Sequence, residues 1–355
     1  MSNVTRGPHE IELPAKVITG SGALSMLPGL LENFGYKRIA LFTGPNVKTI
    51  FSYRVENMLN KAGFECQSHI VKEASKPEAE MAALFAKEVE ADAIVAVGGG
   101  KVIDVAKYVS YIYSIRFVSV PTAVSHDGIA SPAISLKDVE GFPVSRFARP
   151  PVAVVADIDV ISQAPKKLLA SGFGDIIGKL TSVRDAVLAR KIKGEYIGDY
   201  SLALAKLSAQ MVAENAERVA MQDPEGVSIL VEAAISCGVA MAIAGSSRPC
   251  SGSEHLFSHA LDIVYPEKTS LHGEQVGIGT VMMAYLHGIN WKRVRQLLRI
   301  VGAPTTNEEL DVPWKAIVNA LMIAHRVRER YTILGEGGLS ESAAFKLAKV
   351  TGVIE

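Results

Sequence analysis

Three histidines lie close together in the middle of the chain. His255 and His259 occur in Ser251-Gly-Ser-Glu-His-Leu-Phe-Ser-His-Ala-Leu-Asp262, and His272 heads His-Gly-Glu-Gln-Val-Gly-Ile-Gly279. They are three of eight histidines in 355 residues. Positions i and i+4 share one helix face, so the rings of His255 and His259 can point at one place. Neutral imidazole is the commonest metal ligand, and a catalytic zinc takes three protein ligands while leaving one position open. The pair also suits packed core histidines, because Leu256, Phe257, Ala260 and Leu261 make the segment largely apolar. Asp175, in Ser171-Gly-Phe-Gly-Asp-Ile-Ile-Gly-Lys179, is the carboxylate that would complete a metal set. Its neighbours Phe173, Ile176 and Ile177 are apolar, and a buried carboxylate needs a partner. The pattern predicts a helix over 174–191 with Asp175 near its start, where a capping role and a metal are both open.

A second chemical signal is Gly98-Gly-Gly-Lys-Val-Ile-Asp104, directly after the apolar run Ala93-Ile-Val-Ala-Val97. Glycines between a strand end and a helix start let the backbone approach a phosphate, and the helix N-terminus supplies free N–H groups. The G-x-G-x-x-G and Walker patterns are both absent. Further on, Pro121-Thr-Ala-Val-Ser-His-Asp-Gly-Ile-Ala-Ser131 follows another apolar run, Phe117–Val120. In open α/β sheets, ligands bind outside the carboxyl ends of the strands. That places Thr122, Ser125, His126, Asp127 and Ser131 beside a ligand.

The elements that must hold these residues divide the chain in two. Up to about residue 160, apolar strands (9–20, 38–42, 64–71, 93–97, 117–120, 152–156) alternate with helices (23–33, a second through about 62, 78–88, and one after Gly100). This β-α order predicts a doubly wound parallel sheet. From about 165 onward the periods are helical, over 166–171, 174–191, 199–221, 226–245, 253–263, 274–290, 291–301, 312–328 and 340–350. An α/β nucleotide-binding domain (1–160) and an all-α domain (161–355) are expected.

Composition narrows the partners. Lys+Arg and Asp+Glu number 37 each, with 48% hydrophobic and 21% charged residues. A basic excess would mark a nucleic-acid or anionic-membrane binder, so neither is expected. Cys66, Cys237 and Cys250 are odd in number and unpaired by spacing, as in a reducing cytoplasm. The N-terminal residues carry no apolar signal core. Val227–Ala244 is long enough to approach a membrane span, but Glu232, Ser236 and Gly238 interrupt it, so a buried helix is expected.

Four segments together resemble the archaeal sn-glycerol-1-phosphate dehydrogenase family: Gly98–Asp104, Val120–Ser131, Gly172–Asp175 and Gly245–His255 with the histidines after it. The wider superfamily includes iron-containing alcohol dehydrogenases, glycerol dehydrogenase and dehydroquinate synthase, and it implies a dehydroquinate synthase-like layout with the active site in the cleft between the two domains. The resemblance implies zinc on Asp175, His255 and His272, with His259 beside the substrate and passing protons. It implies that Asp127, Asp175 and His259 contact substrate. It also implies that Gly98, Gly99, Gly100, Lys101, Val102 and Asp104 hold the cofactor pyrophosphate. Thr122, Ala123, Val124, Ser125 and Ser131 would line the nicotinamide side. The implied reaction is the reversible reduction of dihydroxyacetone phosphate to sn-glycerol 1-phosphate by NADH or NADPH, for ether-lipid synthesis. A homo-oligomer is expected. The rivals are a glycerol dehydrogenase and a non-catalytic zinc or nucleotide scaffold. For the substrate phosphate the candidates are Arg248 with Ser246 and Ser247, then Lys179 and Arg326. The loop Thr43-Gly-Pro-Asn46 carries no acid for a ribose 2′-hydroxyl, so use of both cofactors is expected.

Overall fold

Strands that are apolar on every residue need cover on both faces. In the computed structural model, which describes residues 9–140, 143–267 and 270–355, they receive it. The strands are β1 (Lys16–Gly20), β2 (Arg38–Thr43), β3 (Glu65–Ile70), β4 (Ala93–Gly98), β5 (Arg116–Pro121), β6 (Ala133–Lys137), β7 (Pro143–Phe147) and β8 (Ala153–Asp157). Six of them form one sheet in the order β1-β8-β5-β4-β2-β3, with every pairing parallel. Alternate side chains face opposite sides. Ile39, Leu41, Val95, Val97 and Val118 pack with Leu30, Leu31, Val55 and Leu59 on one side. Phe42, Ile94, Ala96 and Phe117 join a core that continues into the helical half. A side chain such as Phe42, wholly buried, contributes roughly 1.5–3 kcal/mol relative to exposure.

The chain runs from β2 outward to β3 and then returns to β4 on the other side of β2, so the sheet order switches direction at β2 and β4. Ligand crevices form at such switch points. Gly98 and Gly44, at the carboxyl ends of β4 and β2, both come close to Val102.

A hairpin went unpredicted. β6 and β7 pair antiparallel, apart from the main sheet, in a stretch to which no element was assigned. Its signal was the period-2 alternation of Ile134 and Leu136 (buried) with Ser135 and Lys137 (exposed). The hairpin matters because Ser145 and Arg146 reach the central cleft.

After Asp157 every described element is helical. The predicted break near residue 172 lies instead at Gly178, between Lys166–Ile177 and Lys179–Lys193. Asp175 therefore sits in the last turn of a helix, and the cap at a helix start is ruled out. Gly172 and Gly174 remain helical because neighbouring backbones press on them. A Cβ on Gly172 would lie 2.1 Å from the Val124 carbonyl oxygen, and one on Gly174 would lie 2.3 Å from that of Gly273. A Cβ on Gly273 would in turn come 1.9 Å from the Ser171 carbonyl oxygen. These glycines let helix Lys166–Ile177 touch both the loop after β5 and helix His272–Leu286. Asp175 and His272 meet for that reason. We expect Gly273→Ala to cost about 2–3 kcal/mol, as backbone overpacking does. It should also weaken metal binding, and paired measurements of melting and zinc content check both.

The predicted helix over 199–221 is divided at Asn215 into Asp199–Glu214 and Ala216–Met221. Pro224–Ala244 is long and apolar enough to cross a membrane by length and composition, yet over half of its most apolar stretch is buried inside the protein. A Cβ on its Gly238 would lie 2.6 Å from the Ala130 carbonyl carbon, so this helix supports the loop carrying Asp127 and Ser131. The expectation about the first eight residues lies outside the described residues.

Candidate active site

A cleft of about 840 Å3 runs between the strand ends and the helices. Gly100, Lys101, Asp104 and Ser131 form part of its wall. Asp127, His255, His259 and His272 form another part. Gly98, Gly99, Val102, Thr122, Ala123, Val124 and Ser125 lie in the same turns but outside that wall. Val102 and Val124 point into the core.

Each metal candidate arrives on a different piece of structure. His255 rides on helix Ser253–Val264, His272 opens helix His272–Leu286, and Asp175 ends helix Lys166–Ile177. Their ligand atoms all lie within 4.8 Å of one another. Asp175 Oδ1 is 3.2 Å from His255 Nε2 and 3.9 Å from His272 Nε2.

The surroundings decide which imidazole nitrogens are bare. His255 Nδ1 is 2.8 Å from Glu254 Oε1, and a carboxylate only accepts, so the ring proton is on Nδ1. Ser258 Oγ donates to Gln275 Oε1 at 2.7 Å, which leaves it to accept from His272 Nδ1 at 3.1 Å. Both Nε2 atoms therefore present lone pairs to the same point. Asp175 Oδ1 is buried there with no hydrogen-bond partner among the described residues. Two lone pairs and a carboxylate oxygen repel one another, and a divalent cation resolves that repulsion. The donor set fits zinc, and Glu254, Ser258 and Gln275 orient the ligands as outer-shell groups do. Sequence reasoning missed all three; the i, i+3 and i−1 relations to the histidines were the available signal.

Lys179, wholly buried, holds the other side of Asp175. Its Nζ lies 2.8 Å from Asp127 Oδ2, 2.8 Å from the Asp175 carbonyl oxygen and 3.1 Å from Asp175 Oδ2. The Asp127 N–H also donates to Asp175 Oδ2 at 2.8 Å. Oδ2 is thus committed to protein contacts, and Oδ1 is left as the oxygen that could hold a metal. Burial works to raise the Asp175 pKa, but the Lys179 ammonium beside it outweighs burial and holds the carboxyl well below the usual range. Asp127, Cys237 and Cys250 also converge. Lys179 answers the Asp127 charge, and burial pushes the Cys250 thiol well above its usual range and keeps it neutral, so the group requires no metal.

His259 points at the same cavity. Its ring stacks on His272 with centroids 5.7 Å apart, and its Nε2 lies 2.7 Å from Arg328 Nη2. A guanidinium can only donate, so His259 Nε2 accepts and its proton is on Nδ1.

On the nucleotide side, Gly100 starts the helix after β4, with Gly99 as its cap. A Cβ on Gly100 would fall 1.9 Å from His126 Nε2, so the turn has no room for a side chain there. Asp104 pairs with buried Lys107 at 3.0 Å, and Lys107 also donates to Ser131 Oγ at 3.4 Å and to the Ala133 carbonyl at 2.8 Å. Asp104 and Ser131 thereby tie the phosphate-type turn to the loop after β5.

The phosphate candidates redistribute. Arg248 does not reach the cleft wall: its Nη2 binds Glu195 Oε2 and the Tyr331 carbonyl, each at 2.8 Å. Lys179 is spent on the two aspartates, and Arg326 donates to His325 at the surface. Ser246 and Ser247 do line the cleft, together with Arg146, Arg328 and Arg330.

The chain is 51% identical over 348 residues to a glycerol-1-phosphate dehydrogenase (NAD(P)+) of Pyrococcus furiosus, covering 98% of this chain and 100% of that protein. The chain belongs to the glycerol-1-phosphate dehydrogenase family. The relative of the same name from Thermofilum pendens is 47% identical over 342 residues, 96% of this chain and 98% of that one. Residues 18–165 match the family model for iron-containing alcohol dehydrogenase. Among solved structures, glycerol dehydrogenase of Schizosaccharomyces pombe superposes with a TM-score of 0.82 at 20% identity, covering 98% of this chain and 91% of that one. A probable glycerol dehydrogenase of Sinorhizobium meliloti gives 0.78 at 21%, covering 97% and 98%. At such identities these neighbours speak to fold alone. The fold is that of the glycerol dehydrogenase type, with a parallel α/β sheet followed by helices, as the resemblance implied.

Proposed function

We propose that this chain reduces dihydroxyacetone phosphate reversibly to sn-glycerol 1-phosphate with NADH or NADPH, in the cytoplasm, for ether-lipid synthesis. Zinc held by Asp175, His255 and His272 is part of that reading. The observation that carries it is the pair of bare Nε2 atoms aimed at an unpartnered Asp175 oxygen, in one cleft with a glycine turn at a helix N-terminus. The family named above supplies the substrate.

Bound zinc supplies a Lewis acid for a carbonyl, and the bound nicotinamide supplies a hydride. The chain's own residues do the rest. Gly98, Gly99, Gly100, Lys101, Val102 and Asp104 cradle the pyrophosphate, and Thr122, Ala123, Val124, Ser125 and Ser131 flank the nicotinamide. Asp127, held by Lys179, receives a substrate hydroxyl. His259 relays the proton that the product hydroxyl needs. Burial first, and the Arg328 charge with it, push the His259 pKa down to about 4 against the pull of Asp262. The ring is therefore neutral at pH 7, as a relay requires, and does not store a proton of its own. His259→Ala should lower turnover by about 100-fold, a usual acid–base contribution, with zinc content unchanged. Loss of zinc from that variant would contradict the division of roles.

The test of the whole reading is NADH oxidation with dihydroxyacetone phosphate against dihydroxyacetone, with product stereochemistry determined. Activity on the phosphate giving the sn-1 product alone supports it. Activity on dihydroxyacetone alone makes the chain a glycerol dehydrogenase. Because the loop after β2 carries no acid, kcat/KM for NADH and NADPH should agree within about tenfold; a hundredfold preference for NADH sinks that expectation.

A further inference from the structure

The cleft contains two guanidinium groups whose charges are not matched. Arg330 donates to the Ser251 carbonyl oxygen and, at 2.9 Å, to Ser247 Oγ. Arg328 donates to Ser145 Oγ on β7 and to His259 Nε2 at 2.7 Å. All four acceptors are neutral, and among the described residues neither arginine has a carboxylate within salt-bridge range. Nearby Arg248 does have one, Glu195 at 2.8 Å. Burial, then Arg248 and Arg328, push the Arg330 pKa down to about 9, so the pocket disfavours its own cation until an anion arrives. Both side chains are half-buried, and charges drawn out of water are ordinarily paired; guanidinium forks suit phosphate oxygens two at a time.

We propose that Arg328 and Arg330, with Ser247 between the helices and Ser145 on the hairpin, form the subsite for the substrate's phosphate group and so determine selectivity for a phosphorylated triose. The inference rests on the proposed function for the identity of that substrate. Its geometry is independent: Arg328 touches His259, whose ring stacks on metal candidate His272, so the anion subsite adjoins the metal centre. Ser145 and Arg328 come from opposite sides of the cleft.

Two measurements test it on the zinc-loaded protein. The first is binding of inorganic phosphate by calorimetry, with NAD+ saturating so that the pyrophosphate turn is filled. Arg330→Gln should weaken it at least tenfold. The second is the ratio of kcat/KM for dihydroxyacetone phosphate over dihydroxyacetone, which should fall at least 100-fold in Arg330→Gln. Arg328→Gln provides a second variant should the first not fold, with the same expected direction in both measurements. An unchanged ratio with unchanged phosphate binding overturns the subsite while leaving the proposed reaction intact. A wild type inactive on the phosphate ester, yet binding inorganic phosphate through Arg330, overturns the reaction and leaves the subsite standing.

Discussion

Asp175→Asn is expected to give a folded protein that has lost its zinc and nearly all of its activity. The substitution keeps shape and volume but removes the charge by which Oδ1 would hold a metal in the proposed site. Its setting amplifies the loss, because Oδ1 is buried with no hydrogen-bond partner among the described residues. Two neutral imidazoles alone bind a divalent cation far more weakly than two imidazoles with a carboxylate. Turnover should fall by about 1,000-fold or more, equivalent to roughly 4 kcal/mol of transition-state stabilisation. Folding should survive, since Lys179 keeps Asp127 and the Asp175 carbonyl oxygen as partners, each at 2.8 Å. Zinc content by elemental analysis, near-UV circular dichroism and NADH oxidation together give the answer. A variant that retains zinc with only a few-fold loss of rate removes Asp175 from the metal site.

Lys179→Met should act on stability first. Methionine can occupy much of the same channel, but it leaves Asp127 and Asp175 facing each other with no cation between them. Breaking a buried charge cluster by removing one partner costs about 3–5 kcal/mol. For a chain of this size that is a fall in Tm on the order of 10 °C. The loss should be larger without metal than with it, because bound zinc still compensates Asp175 and stabilises the folded state in proportion to its affinity. Melting curves with zinc and with a chelator separate the two contributions. Equal Tm for variant and wild type in the chelator would mean that Lys179 is not the counter-cation of the pair.

Both experiments probe a site whose parts differed in how readable they were. The histidine spacing, the glycines after an apolar strand and the β-α alternation were legible because each is local. A helix repeats every 3.6 residues and a strand every two, so neighbours in sequence declare their faces. The same locality made the helix Ser253–Val264 and strands β4 and β5 easy to place. The hairpin β6–β7 was overlooked although it alternates, because it is short and lies in a stretch rich in polar and turn residues.

What remained hidden depends on contacts across long separations. Asp175 was assigned to a helix start because the helical pattern was divided between 171 and 174, around Gly172 and Gly174. In the fold they are helical, and their missing side chains admit the backbones of Val124 and Gly273. Arg248 was favoured because it stands just before the histidine-bearing helix in sequence, and neither Arg328 nor Arg330 was among the candidates. Only the packed structure shows Glu195 taking the charge of Arg248, while Arg328 and Arg330 return from some 70 residues beyond His259 to face the cleft. The sequence by itself determined the chemistry on offer: imidazoles, a carboxylate, a phosphate-type turn and the alternation that sets them at strand ends. The tertiary structure decided which nitrogen is bare, which oxygen lacks a partner and which arginines lack an acid. Those outcomes turn on distances of a few ångströms between segments that one-dimensional spacing does not relate.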